Sequence, residues 1–111
     1  MASTLSPSEL FHLEALITPT PQGIASRVLA RTAAGNITLF AFDAGEELAE
    51  HTAPFDALVL TLSGSLLLTI GGASVQTAPQ TVVLMPANVP HALRATEPSR
   101  MLLVMLRDAP R

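Results

Sequence analysis

The sequence predicts a single all-β domain of short antiparallel strands, and three observations carry that expectation. Val, Ile, Leu and Thr gather in short runs, and Gly, Pro, Asn and Ser punctuate them at intervals of about 8 to 12 residues, the spacing of a sandwich or barrel. No run keeps a helical period over a useful length. The chain has 111 residues of which 49% are hydrophobic, which suits one continuous buried core.

Taken in order, the elements begin with an N-terminal stretch in which Ser6, Pro7 and Glu9 resemble an N-cap, a first-turn proline and a capping-box acid. A short helix or an outer strand through Leu16 is expected there. Strands are expected over Ile24 to Arg31, Ile37 to Asp43, Ala57 to Leu62, Ser65 to Ile70, Ser74 to Thr77, Thr81 to Met85, His91 to Thr96 and Met101 to Leu106. Ala34-Gly35-Asn36 and Gly71-Gly72 supply residues that tolerate positive φ and predict hairpin turns. No repeat or linker divides the chain, so residues 1–111 are expected to form one domain. Within it, a barrel core covers 37–106, and an extension over 1–23 packs on the barrel or on a partner.

Composition removes several functions. The net charge is -3, no Lys occurs, and the six Arg are scattered singly, so the basic stripe of a nucleic-acid binder is missing. The chain has no Cys, which excludes a disulfide framework and a thiolate nucleophile. From Ala57 to Leu93 no charged side chain occurs, yet Ser63-Gly64-Ser65, Gly71-Gly72, Pro79, Pro86 and Pro90 interrupt the stretch. A membrane helix needs roughly 20 unbroken apolar residues, so buried strands are expected instead. Met1 to Leu10 lacks a basic region followed by an apolar block, and the cytoplasm is the default expectation.

Two segments carry a resemblance. GEELAEHTAPFDALVLTLSG, Gly45 to Gly64, resembles the first cupin motif: Gly45, His51 and Gly64 match, while Ala53 stands at the second histidine and Ala57 at the glutamate. QTVVLMPANVPHALRA resembles the second: Pro86 and His91 match, while Gln80, Asn88 and Ala95 replace two glycines and an asparagine. Asn88 keeps a left-handed turn open, because Asn tolerates that conformation. The resemblance runs from about Ile37 to Leu106 and implies a cupin-type jelly-roll β-barrel of antiparallel strands.

The resemblance further implies that His51 and His91 face each other inside the barrel, where cupins hold a divalent Fe, Mn, Ni or Zn ion. With two usual ligands absent, no cofactor is assigned, and His51 and His91 are the metal candidates. Alternation along an extended segment would put Ala53 and Ala57 on the same side as His51 and turn Glu50 and Asp56 away. Asp56 or one of Glu46, Glu47 and Glu50 serves as a third ligand only if the loop folds inward; a solvated loop is the plainer role. The candidate pocket is completed by Phe40, Phe42, Phe55 and Met85, with Met101 and Met105 as further wall, although ordinary core packing is the plainer role for these residues. His12 lies outside both motifs and is expected at the surface.

Three chemical functions compete, beside a purely structural role as an oligomerisation unit. The leading one is a small-molecule binder using the two histidines. The alternative is a metal-dependent enzyme of dioxygenase, isomerase or decarboxylase type with an incomplete two-histidine site. Metal-free acid/base catalysis ranks last, since the chain has no Tyr and no Trp. The resemblance also implies a homodimer, consistent with an open-edged β-fold that must cover its edges.

Overall fold

A computed structural model describes residues 4–107. Among the described residues nine strands form two sheets: β1 (Ile24–Thr32), β2 (Gly35–Phe42), β3 (Glu47–His51), β4 (Asp56–Ser63), β5 (Leu66–Ile70), β6 (Ala73–Gln76), β7 (Thr81–Met85), β8 (His91–Ala95) and β9 (Ser99–Leu106). The larger sheet runs β1-β2-β9-β4-β7 and the smaller β3-β8-β5-β6. All pairings are antiparallel. No helix among the described residues is long and apolar enough to cross a membrane.

Strand alternation builds the core. Ala57, Val59 and Thr61 of β4 point inward beside Met85 of β7 and Met101 of β9, and meet Leu66 and Leu68 of β5 and Leu93 and Ala95 of β8. Thr61 adds a polar anchor within this packing. Its hydroxyl donates to Thr77 Oγ1 at 2.9 Å, and the Leu66 amide donates to the same oxygen at 3.0 Å. A buried hydroxyl is tolerated there because it is satisfied.

Turn chemistry sets the strand connections. Gly71 and Gly72 join β5 to β6 with φ of 58° and 86°, the pair of positive values a type I′ hairpin requires. Gly64, between β4 and β5, has φ 75°, and a Cβ there would lie 2.3 Å from the Pro98 carbonyl oxygen. Gln80 and Asn88 take φ of 67° and 64° without being glycine.

Three expectations are revised. β3 was not among the expected strands, because only Leu48 within Glu47–His51 is even partly buried; backbone pairing with β8, rather than apolar alternation, makes it a strand. The hairpin turn between β1 and β2 falls at Ala33-Ala34, and Gly35 already opens β2. Of the two alternatives left open for the N-terminal stretch, a short helix or an outer strand, the helix reduces to a 3-10 turn over Leu13–Ala15 with no side-chain cap. The rest of the segment is extended: the Leu5 amide donates to the Leu29 carbonyl at 2.8 Å, and Leu5, Leu16 and Ile17 pack with Leu29, Leu39, Leu62 and Leu102 on the outer side of the larger sheet. Burying those leucines outweighs the weak local preference of a short helix.

Candidate functional site

His51 ends β3 and His91 opens β8, and the two residues are register partners. The loops around them are tied by backbone bonds. The Asn88 amide donates to the Ala53 carbonyl at 2.8 Å, and the Gly71 amide donates to the Pro90 carbonyl at 2.8 Å. The Ala87 amide donates to Asp56 Oδ1 at 2.8 Å. The left-handed turn at Asn88 is what brings its amide round to Ala53, so the departure from glycine leaves the mouth of the barrel intact.

The imidazoles meet edge to face, with centroids 4.3 Å apart and planes at 68°. His51 Nδ1 lies 2.9 Å from the Ala49 carbonyl oxygen and His91 Nδ1 lies 3.2 Å from that of Val89. A carbonyl only accepts, so each Nδ1 carries the proton and donates. In the neutral rings this leaves a bare lone pair on each Nε2, and those two atoms are 3.1 Å apart. Two acceptors at hydrogen-bond distance with no hydrogen between them repel. The pair is therefore built to receive one positive particle, either a proton or a cation. His91 is 7% exposed, whereas His51 is open to solvent, so access is from the His51 side.

As a metal site the pair is short of donors. Among the described residues no group of three or more His, Cys, Asp or Glu is placed to hold an ion. Ala57 is buried in the core, Asp56 is exposed and holds the Ala87 amide, and Glu46, Glu47 and Glu50 offer no third ligand beside the pair. Catalytic metal sites use three protein ligands plus an open position, so these residues do not fit a resident metal held by the protein alone. They do fit two positions of an ion: nitrogens 3.1 Å apart match two bonds of about 2.1 Å meeting near a right angle.

The remaining pocket candidates divide. Phe42, Met85 and Met101 are buried between the sheets, with Phe40 and Met105 packed against them, and the Phe40 and Phe42 rings stack at 5.8 Å. Phe55 is half-buried and lies outside that cluster, with the Arg107 guanidinium 5.2 Å from its ring centroid. His12 is exposed, as expected. The Thr52–Phe55 break between β3 and β4 explains why simple alternation from His51 does not carry through to Phe55. Sequence reasoning did not find the two carbonyls of Ala49 and Val89. Each lies two residues before its histidine, a local relation visible only once the backbone is folded.

Residues 38–106 match the family model described as Cupin domain. A conserved protein of unknown function from Streptococcus pyogenes is similar at 31% identity, with TM-score 0.89 over 97% of this chain and 95% of that one. A cupin superfamily protein from Desulfitobacterium hafniense is 28% identical, with TM-score 0.86 over 96% and 97% of the two chains. A cupin 2 conserved barrel domain protein from Leptotrichia buccalis is 32% identical, with TM-score 0.83 over 87% of this chain and 47% of that one. No functionally curated protein matches the sequence. With the family model spanning most of the barrel and near full-length relatives sharing its fold, the chain belongs to the cupin family.

Proposed function

We propose that this protein binds a small acidic molecule at the barrel mouth through His51 and His91. The observation that carries the proposal is the pair of converging Nε2 atoms, 3.1 Å apart, each ring oriented by a backbone carbonyl behind it. A ligand carrying an acidic O–H supplies what this contact lacks. Such an acid is ionised near neutral pH, so its binding as the anion brings one proton from solvent onto one Nε2, shared with the other, and the anion stays beside the resulting positive charge as a charge-assisted partner. Leu48, Ile70 and the half-buried Phe55 give this end of the barrel an apolar character, so a small organic acid with an apolar body suits it.

Binding of a panel of aliphatic and aromatic carboxylic acids, with matched amides as controls, tests this by imidazole 15N NMR and calorimetry. Acids should protonate one Nε2 and bind, amides should not, and His51→Ala or His91→Ala should abolish the effect. Acids and amides binding alike, or acid binding that survives both substitutions, would reject the proposal.

The converging lone pairs also favour a second use, in which a divalent ion is held by His51, His91 and donors from water or substrate. Bound to substrate oxygen, such an ion would act as a Lewis acid. Elemental analysis of untagged protein decides it: near-stoichiometric metal lost in His91→Ala supports this use, and metal-free protein, or metal unaffected by His91→Ala, removes it.

A further inference from the structure

The N-terminal segment covers part of the outer face of the larger sheet. Leu5, Leu16 and Ile17 lie over Leu29, Leu39, Leu62 and Leu102, while Val82 and Leu84 stay exposed. The cover is incomplete at the 3-10 turn. There a cavity of about 620 Å³ lies between Leu13 and Glu14 of the turn and Leu39, Leu62, Ser63, Gln80 and Arg100 of the barrel, a volume in the usual range of a small-molecule pocket.

Strand alternation sets a cation into this mainly aliphatic wall. Met101, Leu103 and Met105 of β9 point between the sheets, so Arg100 and Leu102 point outward, and Arg100 sits between its register partners Ala41 of β2 and Ser63 of β4. Arg100 is half-buried, and its Nη1 is buried with no hydrogen-bond partner among the described residues. A guanidinium does not shed its proton, and a buried charged donor without an acceptor is costly. Glu14 borders the same cavity without accepting from that nitrogen. Gln80 is a second residue carried at a cost. Its backbone is left-handed, φ 67°, with its amide donating to the Thr61 carbonyl at 2.8 Å. Glycine would take that conformation freely, yet a side chain is kept there and borders the cavity; strain of this kind gathers at binding sites.

We infer that this cavity binds an aliphatic monocarboxylate, with the carboxylate on the Arg100 guanidinium and the hydrocarbon chain along Leu13, Leu39 and Leu62. The planar fork of an arginine matches a carboxylate with two parallel hydrogen bonds, and Ser63 and Gln80 supply neutral donors on the same wall. One cation balances one negative charge and Glu14 repels a second, so a phosphate dianion is a poorer match. A neutral alcohol leaves the guanidinium uncompensated. The site is separate from His51 and His91, which pair across β3 and β8 of the smaller sheet.

Titration of the full chain with sodium octanoate tests this, read at the Arg100 Nε–Hε signal in 1H–15N spectra. Calorimetry is run on His51→Ala, which removes any carboxylate bound at the histidine pair, so that failure at either site is read separately. Octanoate should shift the Arg100 signal in wild type and in His51→Ala alike. It should bind at least ~10-fold more tightly than 1-octanol, which cannot form the charge-assisted pair, and inorganic phosphate should not displace it. Adding Arg100→Met to His51→Ala should abolish the binding while circular dichroism shows a folded chain, since the change removes a buried cation that has no partner. Arg100→Lys keeps the charge without the fork, should weaken binding, and decides the matter if Arg100→Met unfolds. No shift of the Arg100 signal at millimolar octanoate, octanol matching octanoate, phosphate displacing it, or affinity unchanged by both Arg100 variants overturns the inference. So does a silent wild type beside a Glu14→Gln variant that binds, which would mean that Glu14 closes on Arg100 and takes the ligand's place.

Discussion

His51 Nε2 and His91 Nε2 lie 3.1 Å apart while each Nδ1 is committed to a carbonyl two residues upstream, so the contact holds two acceptors and no donor. This relationship predicts the tautomers. Long-range 1H–15N spectra of the ligand-free protein in alkaline solution should show both rings protonated at Nδ1. A neutral Nε2–H form of either ring would mean that the Ala49 or Val89 carbonyl does not set the orientation.

The two histidines should differ in their cost to stability. His91 is buried and opens a core strand, so His91→Ala leaves a cavity and an unpaired Val89 carbonyl, a loss of about 1–3 kcal/mol. His51 is exposed, and His51→Ala should change stability by less than about 1 kcal/mol. Urea unfolding of both variants gives the comparison, and equal losses would contradict this placement.

Thr77 holds the two sheets together through one oxygen. Thr77→Val removes the acceptor of both the Thr61 hydroxyl and the Leu66 amide and leaves buried donors unmatched, at a cost of about 2–4 kcal/mol. Thr77→Ser keeps the oxygen and should lose much less. A near-neutral Thr77→Val in denaturant unfolding would show that these donors find other partners.

At Gln80 the backbone is left-handed, φ 67°, a conformation costing a non-glycine residue roughly 1–2 kcal/mol. Gln80→Gly relieves it, less the greater chain entropy of glycine when unfolded, so a gain of about 0.5 kcal/mol is expected. Gln80→Val should lose more than about 1 kcal/mol. Thermal unfolding of the pair reads the sign directly, and a stabilising Val would contradict the geometry.

The Asp43 carboxylate accepts the Gln22 and Ala44 amides at 2.7 and 2.8 Å, and these bonds, that from Gln22 first, hold its carboxyl below the ordinary 3.8. A lowered folded-state value stabilises the fold above the unfolded pKa, and the contribution fades as the pH falls through the folded value. Asp43→Asn should therefore be less stable than wild type near neutrality, with the difference starting to shrink as the pH falls below the ordinary 3.8 and gone only below the lowered folded value. A difference that stays constant down to acid pH would exclude the charge as its source.

Much of the barrel was legible in the chain because it follows from local rules. Alternation in Ala57–Thr61 and Thr81–Met85 assigns faces, Gly71-Gly72 fixes a hairpin, and the spacing of His51 and His91 in the two motif segments resembles that of cupins. β3 was not legible, since Glu47–His51 has no apolar alternation and becomes a strand only by pairing with β8. The N-terminal segment was legible only as a choice between a short helix and an outer strand, and the leucines of a distant sheet face draw it out into an extended cover.

An all-β domain, its turns and the two histidines could be read from the chain alone, because periodicity and φ preferences act over a few residues. Folding alone turns both Nδ1 atoms to carbonyls and both Nε2 atoms to each other. It alone also left one aliphatic sheet face half covered. These relations depend on which strands lie side by side, and strand order is set by burial summed over the whole chain.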